Sequence, residues 1–261
     1  TYEGKESTAP AKSMPGGEEA RKRRQALESF VQREAKPANK NQLNKIWSSL
    51  AAQDRGIRHA ARVALEKQPV KKWKSRLASE KSPIAASAAM IALARADATS
   101  GETVLQKAMT FKYRDLKSRQ QKLDLLRSIT LALTRGGQPA EEQKGKLIAW
   151  LDQIYPASTP EENRDLSAIM QFLQAPSAAR KGMALLRGAS GQEEQIGYAL
   201  NLRHLKNGWT SLLRESYFKW FVRAGNFKGG ARLNNYLDGI KKDAIASVKD
   251  SQMTEGLKKI I

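Results

Sequence analysis

The sequence contains no cysteine and only two histidines, His59 and His204. Without cysteine there can be no disulfide, no thiolate zinc site, no cysteine nucleophile and no covalent haem attachment through a Cys-x-x-Cys-His motif. Neither histidine has a second histidine or a carboxylate at metal-ligand spacing on a shared helix face. Phosphate-binding glycine loops and the common hydrolase and metalloprotease motifs are also missing. We therefore expect no catalytic residue, no metal and no cofactor in this chain.

Long apolar runs are missing as well. The longest, at residues 129–133, is far shorter than the ~20 residues that a membrane-spanning helix needs. No membrane insertion is expected. The first residues, Thr1-Tyr2-Glu3, are polar and do not form a signal peptide. We interpret the chain as a mature product or as a fragment of a longer protein.

Positive charge dominates the composition, with a net charge of +20 and a pI of about 10.1. Residues 41–100 and 201–261 each carry +7, whereas residues 151–200 carry −2. A basic surface attracts nucleic acid, anionic lipid or acidic proteins, and it also keeps a protein soluble. Because the charge is spread along the chain, we expect weak, non-specific nucleic-acid binding at most.

Composition divides the chain into three parts. Residues 1–17 are rich in lysine, serine, proline and glycine, and we predict a disordered linker there. Residues 18–40 are predicted to form a basic helix. Its cluster Arg21-Lys22-Arg23-Arg24 is typical of a solvated helix face more often than of a phosphate site. Residues 41–261 are predicted to form one helical repeat domain.

From residue 41 onward, apolar residues recur almost everywhere with the spacing of an amphipathic helix. Ser82-Pro83 and the sequence Thr159-Pro160-Glu161-Glu162 are typical helix starts, as is Ser190-Gly191-Gln192-Glu193. Gly136-Gly137 is a typical helix end. No segment alternates like a β-strand, so the fold class is predicted to be all-α.

The segment from Asp54 to Leu65 has the features of the second helix of a HEAT repeat. Asp54 stands where it can accept hydrogen bonds from free backbone amides, and Ile57-Arg58 follows. Small residues at Ala60 and Ala61 allow a neighbouring helix to approach closely. Many short amphipathic helices in succession favour antiparallel pairs stacked as a solenoid. We therefore predict a HEAT-like α-helical repeat solenoid of antiparallel helix pairs.

Several motifs carry a family resemblance that covers most of residues 50–247. They are residues 60–70 followed by Trp73, residues 91–95, residues 155–176, residues 192–203, Gly208-Trp209-Thr210, Arg214, residues 217–221 and residues 227–230. They resemble the helical region of PVC-type haem-binding, membrane-bound-dehydrogenase-like proteins of planctomycetes and verrucomicrobia; Ala231 departs from the serine frequent there. The resemblance implies an exported, periplasmic redox protein in which this region connects a β-propeller to a cytochrome c module. Neither of those modules is present in this sequence, so the resemblance implies a connecting scaffold.

The aromatic-rich segment 208–247 is predicted to be the folded end, or cap, of the solenoid. Its structural residues are predicted to be Trp209, Tyr217, Phe218, Phe221, Gly229 and Gly230. Tyr217, Phe218 and Phe221 share one helix face and are expected in the core. Gly229-Gly230 is interpreted as a turn that needs positive φ.

Trp220 points in another direction from that core face, beside three cationic residues. These four residues form the candidate interaction surface: Arg214, Lys219, Trp220 and Arg223. Tryptophan with arginine is a common composition of binding hot spots and equally suits stacking on nucleic-acid bases. Two hypotheses therefore remain open. The first is a non-catalytic scaffold that binds neighbouring domains of the parent protein or another protein, and the second is a HEAT-like protein that binds nucleic acid on a basic concave surface.

Overall fold

A computed structural model describes residues 17–261 as an all-α structure without strands in that range. The prediction of an all-α fold class is confirmed, while residues 1–16 of the linker predicted for residues 1–17 lie outside the described residues. The fourteen α-helices are α1 Glu18–Glu28, α2 Lys40–Ser49, α3 Arg55–Glu66, α4 Arg76–Ser79, α5 Pro83–Ala96, α6 Gly101–Met109, α7 Arg119–Gly136, α8 Glu141–Asp152, α9 Pro160–Phe172, α10 Ala178–Gly188, α11 Gln192–Leu202, α12 Ser211–Ala224, α13 Leu233–Ala246 and α14 Glu255–Lys258. Within residues 17–261, no helix is both long and apolar enough to cross a membrane.

Most of the predicted helix ends are correct. Asp54 accepts from the amide of Ile57 at 2.8 Å, and the side chains of Ser82 and Thr159 also cap their helices. Gly137, with φ of 80°, follows the last residue of α7. These residues satisfy backbone groups that a helix end leaves without intrahelical partners.

The capping role predicted for Ser190 is wrong. Gly191 is the N-cap residue of α11, and no side chain caps this helix. The turn is instead held by Gln195, whose side-chain amide donates to the carbonyl of Ala189 at 2.9 Å. This bond fixes the loop before α11, but it does not satisfy the free amide groups at the start of the helix.

The odd-numbered helices pack in chain order. Helix α1 contacts α3, α3 contacts α5, and the series continues through α7, α9 and α11 to α13. We call this series the odd row. The contact between α5 and α7 is the largest, and alanines such as Ala86 and Ala89 are fully buried on α5. Because alanine side chains are short, the two helices can approach closely.

The even-numbered helices pack against the odd row. Each odd helix from α3 to α13 contacts the even helix that precedes it in the chain, so that α2 packs on α3, α4 on α5 and so on to α12 on α13. Some even helices also contact one another, including α6 with α8 and α10 with α12. Helix α1 is the exception in the described part of the chain, since no described helix precedes it.

The basic helix predicted for residues 18–40 is part of the same packed structure. Helix α1 packs on α3, and Leu27 is its one buried residue. The connection to α2 is also anchored, because the amide of buried Ala38 donates to the side chain of Gln68 at 2.7 Å. At the other end, α14 follows residue 247 and packs on α12. The described fold therefore begins before residue 41 and continues past the predicted cap.

Candidate interaction surface

Helix α12 carries the residues predicted to form the interaction surface. Its first turn is capped by Thr210, whose hydroxyl accepts from the amide of Leu213 at 3.3 Å. The preceding turn contains Gly208 with φ of 74°, and a Cβ atom there would lie 2.0 Å from the carbonyl oxygen of Pro176. Only glycine fits this conformation and this contact. Gly208 therefore allows the chain to turn closely over the start of α10 and enter α12.

Arg214 is buried, which contradicts its predicted place on the surface. Its guanidinium carbon lies 4.2 Å from the centre of the Trp209 ring. It donates to the carbonyl of Leu205 at 3.1 Å and to the carbonyl of Ser247 at 3.4 Å. Burial lowers the pKa of Arg214 to about 10, although Tyr217 opposes that shift. The guanidinium thus links three segments inside the fold and is not available to a partner.

Tyr217, Phe218 and Phe221 are buried as predicted. The phenol of Tyr217 donates to the carbonyl of Ala199 on α11 at 2.7 Å, and burial raises its pKa. Its ring centre lies 5.6 Å from that of Phe218 and 5.2 Å from that of Phe221. Edge-to-face contacts at such distances add stabilising free energy to that gained from burying the apolar surface.

The surface position predicted for Trp220 is wrong, because only 1% of this residue is exposed. Its indole nitrogen donates to the side-chain oxygen of Gln195 on α11 at 2.9 Å. Its ring packs edge-on against Phe221 and Phe227, with centroid distances of 5.0 Å and 5.9 Å. The side of α12 that carries Trp220 is covered by α11 and by the chain after α12. The residue spacing within α12 does not show this cover.

The solvent side of α12 carries a different set of residues, which we call the α12 outer face: Leu212, Lys219, Val222 and Arg223. Leu212 is 79% exposed and Val222 is 65% exposed, and Lys219 and Arg223 are exposed beside them. Lys219 lies 3.8 Å from the carboxylate of Glu215 on the preceding turn. Two cations from the predicted surface are therefore retained, and two aliphatic residues replace Arg214 and Trp220.

Sequence reasoning missed Leu212 and Val222. The signal was present, because successive residues on a helix turn by about 100°. Measured as an angle around the helix axis, Leu212 and Val222 both lie more than about 90° from the buried face that Tyr217 and Phe221 define. Exposed apolar patches mark contact with a partner, whereas single exposed apolar residues are common on protein surfaces.

The predicted HEAT-like residues form a local structural unit on α3. Asp54 caps the helix, and Arg58 donates from one guanidinium nitrogen to the carbonyls of Ala52 and Gln53, both at 2.7 Å. The pair therefore ties the α2–α3 turn to the helix that follows it. These contacts bind backbone and offer no reactive group.

The interpretation of Gly229-Gly230 as a positive-φ turn is wrong. Neither residue is among the described glycines with positive φ, which are Gly17, Gly137 and Gly208. A Cβ atom on Gly229 would lie 2.6 Å from a methyl group of Leu233, whereas Gly230 has no atom within 4 Å of that position. The contact at Gly229 is with the flexible end of a partly exposed side chain, so neither glycine is fixed by backbone conformation.

The two histidines lie apart in the fold, His59 on α3 and His204 just after α11. His59 is exposed and lies 3.2 Å from the guanidinium of Arg62, while exposed His204 lies 3.7 Å from Asp243. Among residues 17–261, no group of three histidine, cysteine, aspartate or glutamate side chains is arranged to hold a metal ion.

Comparison with known proteins gives no relative. No protein-family model, no curated protein and no solved structure matches this chain.

Proposed function

We propose that the chain is a non-catalytic HEAT-like helical-repeat scaffold that binds neighbouring domains of its parent protein. By the resemblance described above, the parent is an exported, periplasmic redox protein with a propeller dehydrogenase and a cytochrome c module. The chain itself supplies no cofactor and no reacting group in this proposal.

The order of helix contacts supports the repeat architecture. A solenoid is built from units that each contact mainly the next unit in the chain. The odd row follows this rule from α1 to α13, and each odd helix from α3 onward packs on the even helix before it. Asp54 and Arg58 add the local contacts expected of a HEAT-like second helix.

The observation that carries the binding role is the α12 outer face. Leu212 and Val222 are the two most exposed large hydrophobic residues of the described chain, and they share one face with Lys219 and Arg223. Exposed apolar residues beside cations are typical of a protein-binding surface with an apolar centre and a charged rim. We propose that a neighbouring domain covers this face.

Nucleic-acid binding on a basic concave surface is the alternative function, and the charges along the odd row do not favour it. Helices α9 and α11 carry five carboxylates and one arginine, and their groove of about 300 Å³ is lined by Glu161, Glu193, Glu194 and Arg164. The fourteen helices together carry +10, so half of the net +20 lies outside them. A duplex laid along the odd row would meet repulsion at α9 and α11, since tight binding depends on neutralising successive phosphates.

Site-specific photo-crosslinking in the full-length parent protein tests the proposal. A photoreactive phenylalanine analogue replaces Val222 in one variant and Tyr236, which is 49% exposed on α13, in the control. We expect Val222, and not Tyr236, to crosslink to a peptide of the same polypeptide outside residues 1–261. The scaffold role is contradicted if crosslinks from Val222 stay within residues 1–261 or resemble those from Tyr236.

A further inference from the structure

A groove with a volume of about 520 Å³ lies between α1 and α2. Both helices pack on α3, but they do not pack closely on each other. Ala26, Leu27 and Phe30 supply apolar surface from α1 and the turn after it. Lys45, Ser48 and Ser49 line the opposite wall on α2. We call this space the α1–α2 groove.

The packing order explains why the groove is open. Every odd helix from α3 to α13 is covered by the even helix that precedes it in the chain. No described helix precedes α1, so the corresponding place beside α1 and next to α2 is not filled by residues 17–261. The α1–α2 groove lies beside these same two helices. Helix α1 accordingly buries one residue, Leu27, whereas α3 buries five.

The lining indicates the chemistry of an occupant. The floor is apolar, and the charged residues that line the groove are Arg23 and Lys45, with no carboxylate among the lining residues. Arg23 donates to the hydroxyl of Ser49 at 2.9 Å, and no described carboxylate forms an ion pair with either cation. An amphipathic helix would bury its apolar stripe on this floor, and glutamates on its flanks would face the two cations.

We propose that the α1–α2 groove binds an acidic amphipathic helix from outside residues 1–261, which takes the place of an even helix before α1. Residues 1–16 are a poor source of such a helix on composition. They contain Pro10 and Pro15, and Met14 is their only large aliphatic residue. Proline is excluded from helix interiors, and an apolar stripe needs several large residues on one face. This site lies apart from the α12 outer face and rests on the odd row, not on the role proposed for α12.

A direct binding measurement tests the inference. The probe is a fluorescein-labelled peptide of about 14 residues, roughly four helical turns, with leucine on one face and glutamate elsewhere. Fluorescence anisotropy with the full chain is expected to show saturable binding. A second peptide with lysine in place of each glutamate is expected to bind at least tenfold more weakly, because it repels Arg23 and Lys45.

Variants locate the binding. Ala26→Glu and Lys45→Glu change exposed groove residues, and each should weaken binding of the acidic peptide at least tenfold. Lys242→Glu is the matched control, because it makes the same charge change at an exposed residue of α13 outside both proposed binding surfaces and should leave binding unchanged. Thermal unfolding of each variant checks that the fold is intact.

Four results would overturn the inference. They are absence of saturable binding, equal binding of the acidic and basic peptides, equal losses with Lys242→Glu and Lys45→Glu, and binding that appears only when residues 1–16 are removed. The last result would identify the chain's own N-terminal segment as the occupant. The pocket volume also lies in the range of small-ligand sites, so decanoate is tested as a competitor. Decanoate binding without peptide binding would also exclude a helix as the occupant.

Discussion

The guanidinium of Arg214 lies over the indole ring of Trp209, 4.2 Å from the ring centre. The indole nitrogen of Trp209 and the guanidinium of Arg214 both donate to the carbonyl of Leu205, at 2.8 Å and 3.1 Å. The stacked pair therefore closes the turn between α11 and α12, and Arg214 also reaches Ser247 after α13. One buried cation thus connects the last three long helices.

We predict that Arg214→Ala lowers the free energy of unfolding by at least about 2 kcal/mol. The variant leaves the carbonyls of Leu205 and Ser247 with fewer donors and removes the stack on Trp209. Arg223→Ala, on the exposed side of the same helix, should change stability by less than about 0.5 kcal/mol. Urea unfolding followed by tryptophan fluorescence compares the two variants. Equal effects would contradict the anchoring role of Arg214.

Trp220→Ala is expected to destabilise the protein by about 3–5 kcal/mol, as is typical when a buried aromatic side chain is truncated. Phe221→Ala should have an effect of the same size, because it lies in the same cluster. Lys219→Ala, at an exposed position of the same helix, serves as the control. Differential scanning calorimetry provides the measurement. A melting temperature unchanged by Trp220→Ala would mean that this side chain is not packed on α11.

Alanine substitutions at Gly208 and Gly230 form a matched pair that tests the close contact at Gly208. Gly208→Ala should destabilise the fold by more than about 1 kcal/mol, because its φ is 74° and the new Cβ would meet the carbonyl of Pro176. Gly230→Ala meets no atom within 4 Å and should be neutral or slightly stabilising. Thermal unfolding of both variants measures the difference. Stability losses of similar size would contradict the close approach at Gly208.

Asp97 predicts a dependence of stability on pH. Hydrogen bonds from Ser100 and Thr99 hold the pKa of this carboxyl below its ordinary value of 3.8. Because the pKa is lower in the folded state than in the unfolded state, the stabilisation is present above about pH 4 and is lost as the pH falls through the folded value. Asp97→Asn removes the charge but keeps a capping oxygen, so it should lower the free energy of unfolding at pH 7 by less than about 1 kcal/mol.

The pH profile of that difference is the decisive measurement. Unfolding free energies of the wild type and of Asp97→Asn, measured from pH 7 down to about pH 2, should converge at the acidic end. A difference that stays constant over this range would show that the charge of Asp97 does not contribute.

Nucleic-acid binding should be weak and independent of sequence. A net charge of +20 gives binding at low salt through counterion release, and non-specific dissociation constants are about 10⁻⁴ to 10⁻⁶ M at physiological salt. Fluorescence anisotropy with two unrelated duplexes over a salt series tests this. Submicromolar binding to one duplex at physiological salt would favour the nucleic-acid alternative over the scaffold.

The sequence by itself determined the all-α fold class, most of the helix starts and the core side of α12. These features depend on neighbours in the chain: Asp54 and Thr159 cap amides three residues away, and Tyr217 and Phe221 share a face because they are four residues apart. Such interactions extend over one turn of helix, so residue types and spacing are sufficient to predict them.

Tertiary structure decided which flanks of each helix face solvent. Trp220 is buried because α11 brings Gln195 to its indole, and Arg214 is buried because the turn at Ser247 supplies its acceptors. Gly208 is required because Pro176, distant in sequence, lies against it. Each partner is 25 or more residues away, and spacing within one helix carries no information about it. The α1–α2 groove has the same origin, since an open place in the row of helices is defined only by how the other helices pack.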